Sequence, residues 1–457
     1  MVKRFVIDTN IFLHNNPKSV IEGFEDNIIV ICGTVLQELD HHKTDLGETG
    51  FNARETCRVL DAISNKGDLI KGVPTESGGT IVLEPNGVSQ EYLPEGYSID
   101  RPDNRIISTC IYLSKGNKSK RKVVLVTNDT SLRLNAKACG VEVQEYWNSI
   151  VEESGYKGYI DLDVDAKIIN TLYDKKFVEL SSKQMDKLLE NEFVTLHADK
   201  QSALSIFRKG QLELIPAEQS IYGWVKPKNA LQSYAMWALT APAEDIPLVI
   251  LIGPPGVAKT FLSIAAGLDQ TYIAQDRSQC PYYKVLISRP SSNAFQNEGF
   301  LPGSLSEKLH YLYNNFYDNI ENLLIGDGKH KENRSQIQMH MQDLIDDDVI
   351  EITSLSFIRG RSLRNVYMIA DEVQNASKTL VRDIVTRAGT GTKIVLAGDP
   401  EQIDIPSLDR HTCGLTFAAE AMKGDPTTCI LNFSGCDEKA IVRSFLSRRA
   451  AQNMQLH

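Results

Sequence analysis

The sequence predicts an α/β protein: a parallel α/β domain at each end of the chain and a small β-rich module between them. Three observations predict it. Short unbroken apolar runs recur near both ends, each followed by polar or helical sequence, which is the rhythm of parallel sheets. Several of these runs terminate in Asp or Glu. The stretch from about 150 to 222 lacks that rhythm.

The elements follow in order. RFVIDTNIFL, NIIVICGTVL and KVVLVTND read as buried strands of a first domain over residues 1–149. Residues 150–222 open with SGYKGYIDLDVD and continue through FVTLHADKQSALSIFRKGQLELI, with β-type content and turn signals that fit either a partly open barrel or an extended hairpin. The tyrosines of SGYKGYIDL read as core packing. From 223 to 457 the α/β pattern returns with IPLVILIG, YYKVLISRP, NVYMIADE and TKIVLAGDP; the acidic DLIDDDVIE reads as a solvated helix end and loop.

Composition excludes several classes. A chain of 457 residues exceeds one ordinary core. No run approaches the roughly 18–20 apolar residues that a membrane span needs. The first apolar run is broken by Asp8 and Asn10, as in a strand and unlike a signal peptide, so a cytoplasmic protein is expected. Eight scattered cysteines form no CxxC pair, which argues against a disulfide framework or a zinc site. A net charge of −10 argues against coating nucleic acid by bulk charge but leaves room for a local basic groove.

The sharpest motif is GPPGVAKT, residues Gly253, Pro254, Pro255, Gly256, Val257, Ala258, Lys259 and Thr260, followed by Phe261 at the head of an apolar helix. A strand, a Gly-rich loop and a helix in that order make a phosphate-binding loop. Backbone N–H groups close around a β-phosphate, Lys259 reaches the β/γ oxygens, and Thr260 offers its hydroxyl to Mg²⁺. The strict pattern has Gly where this chain has Ala258. Downstream, NVYMIADE delivers Asp371, which would hold Mg²⁺ through water, and Glu372, which would orient an attacking water. TKIVLAGDPEQID ends another strand at Asp399 and Gln402, where an amide would contact the γ-phosphate.

On these residues the C-terminal part resembles the PhoH-like ATPases. RGRSLRNVYMIADEVQNAS, TRAGTGTKIVLAGDPEQIDIPSLD and SRPSSNAFQNEGFLPGSLSEK carry the resemblance over most of residues 222–445. It implies a P-loop NTPase core, RecA-like and related to superfamily 1 helicases. It also implies that Gln232 of YGWVKPKNALQ reads the adenine edge. Matching positions imply Arg359, Arg361, Arg387 and Arg443 near phosphates or a subunit boundary. Cys413 stands where Asn is expected.

Four carboxylates mark the first domain: Asp8 in VIDTN, Glu38 in VLQELD, Asp103 in RPDNRII and Asp129 in VTND. Strand ends and helix starts of a parallel sheet converge at one edge. There the four would hold one or two Mg²⁺ or Mn²⁺ ions for phosphodiester hydrolysis, since without metal they repel. Their local contexts, over residues 4 to about 147, resemble the PIN-domain ribonucleases. The resemblance implies that Asn10, Thr127 and Asn128 orient the acids and that the Arg54 helix faces RNA; a surface ion pair is the alternative for Arg54. The basic run KGNKSKRK, 115–122, reads as a solvated loop, with RNA guidance as its alternative.

Together these features resemble PhoH proteins that carry an N-terminal PIN domain. The resemblance implies an ATP-dependent RNA helicase and ribonuclease acting on single-stranded or structured RNA. It also implies a homo-oligomer in the form of a hexameric ring, and allows a small antitoxin-like partner. Two alternatives stay open: an RNA remodeller whose PIN domain only binds RNA, and an AAA+-like protein unfoldase suggested by Ala258.

Overall fold

The computed structural model describes residues 2–45, 48–116, 121–146, 151, 153–198, 201–272, 279–290, 314–326, 334–358, 360–405 and 408–434. The chain divides into two units, Met1–Val151 and Glu152–His457, each with its own core.

The first unit is a six-stranded sheet in the order β3-β4-β2-β1-β5-β6. The strands are β1 (Arg4–Ile7), β2 (Ile28–Cys32), β3 (Val73–Pro74), β4 (Thr80–Glu84), β5 (Val123–Val126) and β6 (Glu142–Gln144). All neighbours pair parallel except the edge strand β3. The central strands, RFVI, IIVIC and VVLV, are almost wholly buried. Continuous apolar runs are what a sheet covered on both faces demands. The helices are α1 (Thr9–His14), α2 (Pro17–Glu22), α3 (Gly33–His42), α4 (Glu48–Ser64), α5 (Pro102–Lys115) and α6 (Thr130–Ala138). The chain runs from β1 outward through β2 to β4, then returns to lay β5 on the other side of β1. That reversal opens a crevice beyond the C-terminal ends of β1 and β5.

The second unit holds two sheets. The smaller comprises β7 (Tyr159–Asp163), β8 (Phe177–Val178), β9 (Glu192–Ala198), β10 (Gln201–Arg208) and β11 (Gln211–Leu214), in the order β7-β9-β10-β11-β8. Its strand EFVTLHA alternates between two cores. Val194 and Leu196 pack with Ile169 and Leu172 of helix α7 (Ala166–Lys175), while Phe193 faces the other way. After the short helix α8 (Ser182–Met185) and the sheet comes α9 (Ala230–Thr240), buried on nearly every side. Phe193 stacks on Tyr234 of α9 at 4.7 Å, and Thr195 Oγ1 bonds the Tyr234 hydroxyl at 2.8 Å. The small sheet therefore shares a core with the larger one.

The larger sheet is fully parallel, in the order β14-β13-β15-β16-β12-β17. Its strands are β12 (Leu248–Ile252), β13 (Lys284–Arg289), β14 (Ile350–Ser354), β15 (Val366–Ala370), β16 (Lys393–Gly398) and β17 (Thr428–Asn432). The helices that matter below are α10 (Lys259–Asp269), α11 (Asn314–Ile325), α12 (Arg334–Asp346), α13 (Lys378–Val385) and α14 (Gly414–Ala421). The acidic DLIDDDVIE comprises the end of α12, a turn and the start of β14. Among the described residues no helix is long and apolar enough to cross a membrane.

Candidate active sites

In the first unit the sheet topology delivers Asp8 directly after β1 and Asp129 three residues after β5. Asp8 is 3% exposed, and its carboxylate accepts a 2.7 Å hydrogen bond from the Thr127 hydroxyl. The same hydroxyl accepts from the backbone N–H of Asp129 at 3.0 Å. One threonine thus ties together two strand ends. Asp129 caps α6, accepting from Leu132 N at 2.9 Å. Glu38, half-buried on α3, accepts a short hydrogen bond from the Thr9 hydroxyl. Asp103 sits exposed in the first turn of α5.

The charges sense one another. Burial pushes the Asp8 carboxyl up to about 7 against the Thr127 bond, with Glu38 and Asp103 pushing the same way. Burial raises Glu38, and Asp103 adds to it. Desolvation raises Asp103, and Asp129 adds to it. Oxygen donors crowded to mutual disadvantage have the chemistry that a hard divalent cation needs. As placed, no three His, Cys, Asp or Glu side chains among the described residues draw close enough to hold an ion.

In the second unit Gly253–Thr260 follows β12, and a cavity of about 590 Å³ opens over it. Lys259, Thr260, Asp371, Glu372, Asp399 and Gln402 all line this cavity. Lys259 is folded onto the loop, its Nζ donating to Gly253 O at 2.5 Å and Pro254 O at 3.0 Å. A phosphate entering the loop offers that ammonium better acceptors. The Thr260 hydroxyl donates to Asp371 Oδ2 at 3.0 Å. Burial pushes Asp371 up to about 6 and Glu372 adds to this; the Thr260 bond and Lys259 oppose it. A hydroxyl and a buried carboxylate at one edge of the phosphate loop fit Mg²⁺. Ala258 takes a left-handed conformation, φ 72°, as the N-cap of α10. This is why Gly is the usual residue there.

A PhoH-like protein family model matches residues 224–455 and a PIN domain model matches residues 5–147. The chain is 35% identical over 437 residues to "Protein PhoH2" of Bacillus subtilis (strain 168), covering 93% of this chain and 95% of that one. It belongs to the PhoH-like proteins with an N-terminal PIN domain. "Protein PhoH2" of Mycolicibacterium smegmatis matches at 28% identity over 93% of this chain and 92% of its own length. A shorter "PhoH-like protein" of Bacillus subtilis matches 49% of this chain at 30% identity. The chain thus joins a nuclease-type PIN unit to a P-loop ATPase-type PhoH unit.

Other residues singled out in the sequence are placed differently. Gln232 does not line the PhoH cavity. It is 3% exposed and its Oε1 accepts from Lys228 N at 2.9 Å, which ties down the start of α9. Arg361 is likewise away from the cavity, forming a two-bond pair with Glu351 of β14 at 2.6 and 3.2 Å. Arg387 is exposed at the end of α13. Arg359 and Arg443, most of SRPSSNAFQNEGFLPGSLSEK and residues 117–120 of the basic run lie outside the described residues. In the PIN unit, Asn128 accepts from Tyr146 N at 3.0 Å and Asn10 is half-buried on α1. Arg54 is exposed and donates to Lys43 O at 2.5 Å. Cys413, fully buried, occupies the N-cap of α14 with its Sγ 3.3 Å from Thr416 Oγ1.

Two sets of PhoH residues escaped the sequence reading. Asn315, Asn319 and Asn322 of α11 form one wall of the cavity, with Trp224 also lining it. Their spacing of four and three in NNFYDNIENLLI marks one helix face, and Phe316, Ile320 and Leu323 form the adjacent buried face. The second is Gln374, buried between the strand ends.

Proposed function

We propose that the chain hydrolyses ATP in the PhoH unit to move along or unwind RNA, and cuts RNA in the PIN unit by metal-assisted hydrolysis. The observation that carries this reading is the convergence of Lys259, Thr260, Asp371, Glu372, Asp399 and Gln402 on one cavity above the phosphate loop. In this reading Lys259 leaves the carbonyls of Gly253 and Pro254 for the β/γ phosphate oxygens. Glu372 orients the attacking water, and the Gln402 loop senses the γ-phosphate. Mg²⁺, held at Thr260 and Asp371, would neutralise phosphate charge. In the PIN unit Asp8, Glu38, Asp103 and Asp129 would hold Mg²⁺ or Mn²⁺, which would activate a water and relieve charge on the leaving oxygen. Thr127 and Thr9 keep the first two carboxylates aimed. A homo-hexameric ring completes the proposal: Arg387 is exposed, and in such a ring it would meet a neighbouring copy, where a trans arginine would stabilise the transferring phosphoryl group.

The test is RNA cleavage and ATP turnover by the full chain with Mg²⁺ or Mn²⁺. ATP turnover stimulated by single-stranded RNA, together with cleavage lost in Asp8→Asn, is the expected outcome. Cleavage unchanged in Asp8→Asn would reduce the PIN unit to an RNA-binding module. Turnover stimulated by a protein substrate and indifferent to RNA would overturn the RNA motor.

A further inference from the structure

Gln374 is fully buried, and its side-chain amide makes three hydrogen bonds. Nε2 donates to the Glu372 carboxylate at 2.6 Å and to the Gln402 carbonyl at 2.9 Å. Oε1 accepts from the backbone N–H of Asp399 at 3.0 Å. Only one orientation of the amide satisfies all three. Rotating it by half a turn would set its oxygen against a carboxylate and a carbonyl, and its NH₂ against an N–H. The side chain therefore bridges the water-orienting glutamate and both ends of the turn that presents Gln402.

The surroundings are shaped to this bridge. A Cβ at Gly398 would lie 2.3 Å from Gln374 Oε1, so the strand end must be glycine for the amide to enter. The next residue repeats the connection: Asn375 Oδ1 accepts from Asp404 N at 2.8 Å, and its Nδ2 donates to the Asp404 carboxylate at 3.3 Å. Glu372 has a left-handed backbone, φ 56° and ψ 34°, which a glutamate adopts only where neighbours hold it. With its polar atoms engaged and no place in the cavity lining, Gln374 does not reach nucleotide.

We infer that Gln374 is a positioning residue that couples the Gln402 loop to the aim of the Glu372 carboxylate. When the γ-phosphate leaves, a shift of the loop moves the carbonyl and N–H that hold the amide, and the amide carries Glu372 with it. The inference rests on the ATPase reading of Glu372 and Gln402.

The experiment compares ATP turnover, and the binding of ADP and of a non-hydrolysable ATP analogue, in the full chain and in Gln374→Met. Methionine keeps the volume and removes all three bonds. The expected result is a kcat loss of about 100-fold, the scale on which a slightly misplaced catalytic group is felt. KM and the affinities for ADP and the ATP analogue should stay within about threefold, the split expected when only the transition state loses an interaction. Gln374→Glu provides the second arm. Its introduced carboxyl donates a hydrogen bond only when protonated, and then one in place of two, so its activity relative to the parent should recover in part as pH falls. An inactive parent would overturn the ATPase reading and the coupling together. An active parent whose kcat is matched by both variants would overturn the coupling alone. So would a parallel fall of kcat, ADP affinity and melting temperature, the signature of a merely structural glutamine.

Discussion

The PIN and PhoH carboxylates occupy equivalent places, beyond the C-terminal ends of parallel strands, yet their surroundings differ in kind. Asp8 is buried with Glu38 and Asp103 acting on it, and its carboxylate accepts from the Thr127 hydroxyl. Asp371 is equally buried, but Lys259 acts on it and Thr260 donates to it. The PIN site stores repulsion that an incoming cation would relieve. The PhoH site carries a resident ammonium, parked on its own loop until phosphate arrives. Dependence on external charge is thus built unequally into two edges of similar design.

The largest break of this comparison is Lys259→Ala. Removing the resident ammonium should lower ATP turnover by about 10³-fold, on the scale of losing a transition-state charge stabiliser. ATP-free RNA cleavage, measured on the same preparation, should stay at the parental rate. A joint loss would mean that the two sites are not independent.

Next comes pH. The folded value of Asp8, about 7, lies above its ordinary 3.8. Between those values the folded chain keeps a proton that the unfolded chain has released. The stability tied to neutral Asp8 is therefore full at low pH and drains away as pH rises from about 4 to about 7. In EDTA, Asp8→Asn should remove that slope. Calorimetry of the full chain near neutral pH should show a gain of roughly 4 kcal/mol, at about 1.4 kcal/mol per pH unit. Added Mg²⁺ should stabilise the parent and leave the variant unmoved, with tighter binding as pH rises through about 7.

Thr127→Val sharpens the same contrast with a smaller effect. It leaves all four carboxylates but cuts the tie between Asp8 and Asp129. RNA cleavage should drop about 10- to 100-fold, the range for groups that orient metal ligands, with ATP turnover unchanged. The smallest expected effect is Ala258→Gly. Relief of the left-handed alanine should stabilise the PhoH unit by about 1 kcal/mol and tighten ATP, read by denaturation and by titration.

Much of this was legible in the sequence because strands of parallel sheets are uniform. VIDTN, VTND, YMIADE and LAGDP each end an apolar run in an acid, and such ends share an edge wherever the crossovers run. Ala258 was legible as a departure, though its left-handed backbone was not. Gln374 was hidden because two of its three partners are backbone groups of a loop 25 to 28 residues away. A pattern of side chains does not report where main-chain N–H and C=O groups point. Gln232 and Arg361 illustrate the converse. Their motifs suggested long-range partners, whereas Lys228 and Glu351 lie nearby along the chain and take their polar groups first. The small sheet kept its form hidden because FVTLHA, buried on both faces except at His197, shows almost no solvent side to read.

One joint within the second unit has a mechanical consequence. As the chain enters that unit, Lys157 O accepts from Asn432 N at 2.9 Å, at the end of β17. A Cβ on Gly158 would strike Ile430 O at 1.8 Å. Strand β17 lies beside β12, and Phe433 N donates to Ile252 O at 2.7 Å, one residue before the phosphate loop. A pull on the backbone at Lys157 and Gly158 is therefore delivered to the strand beside the one that leads into the phosphate loop.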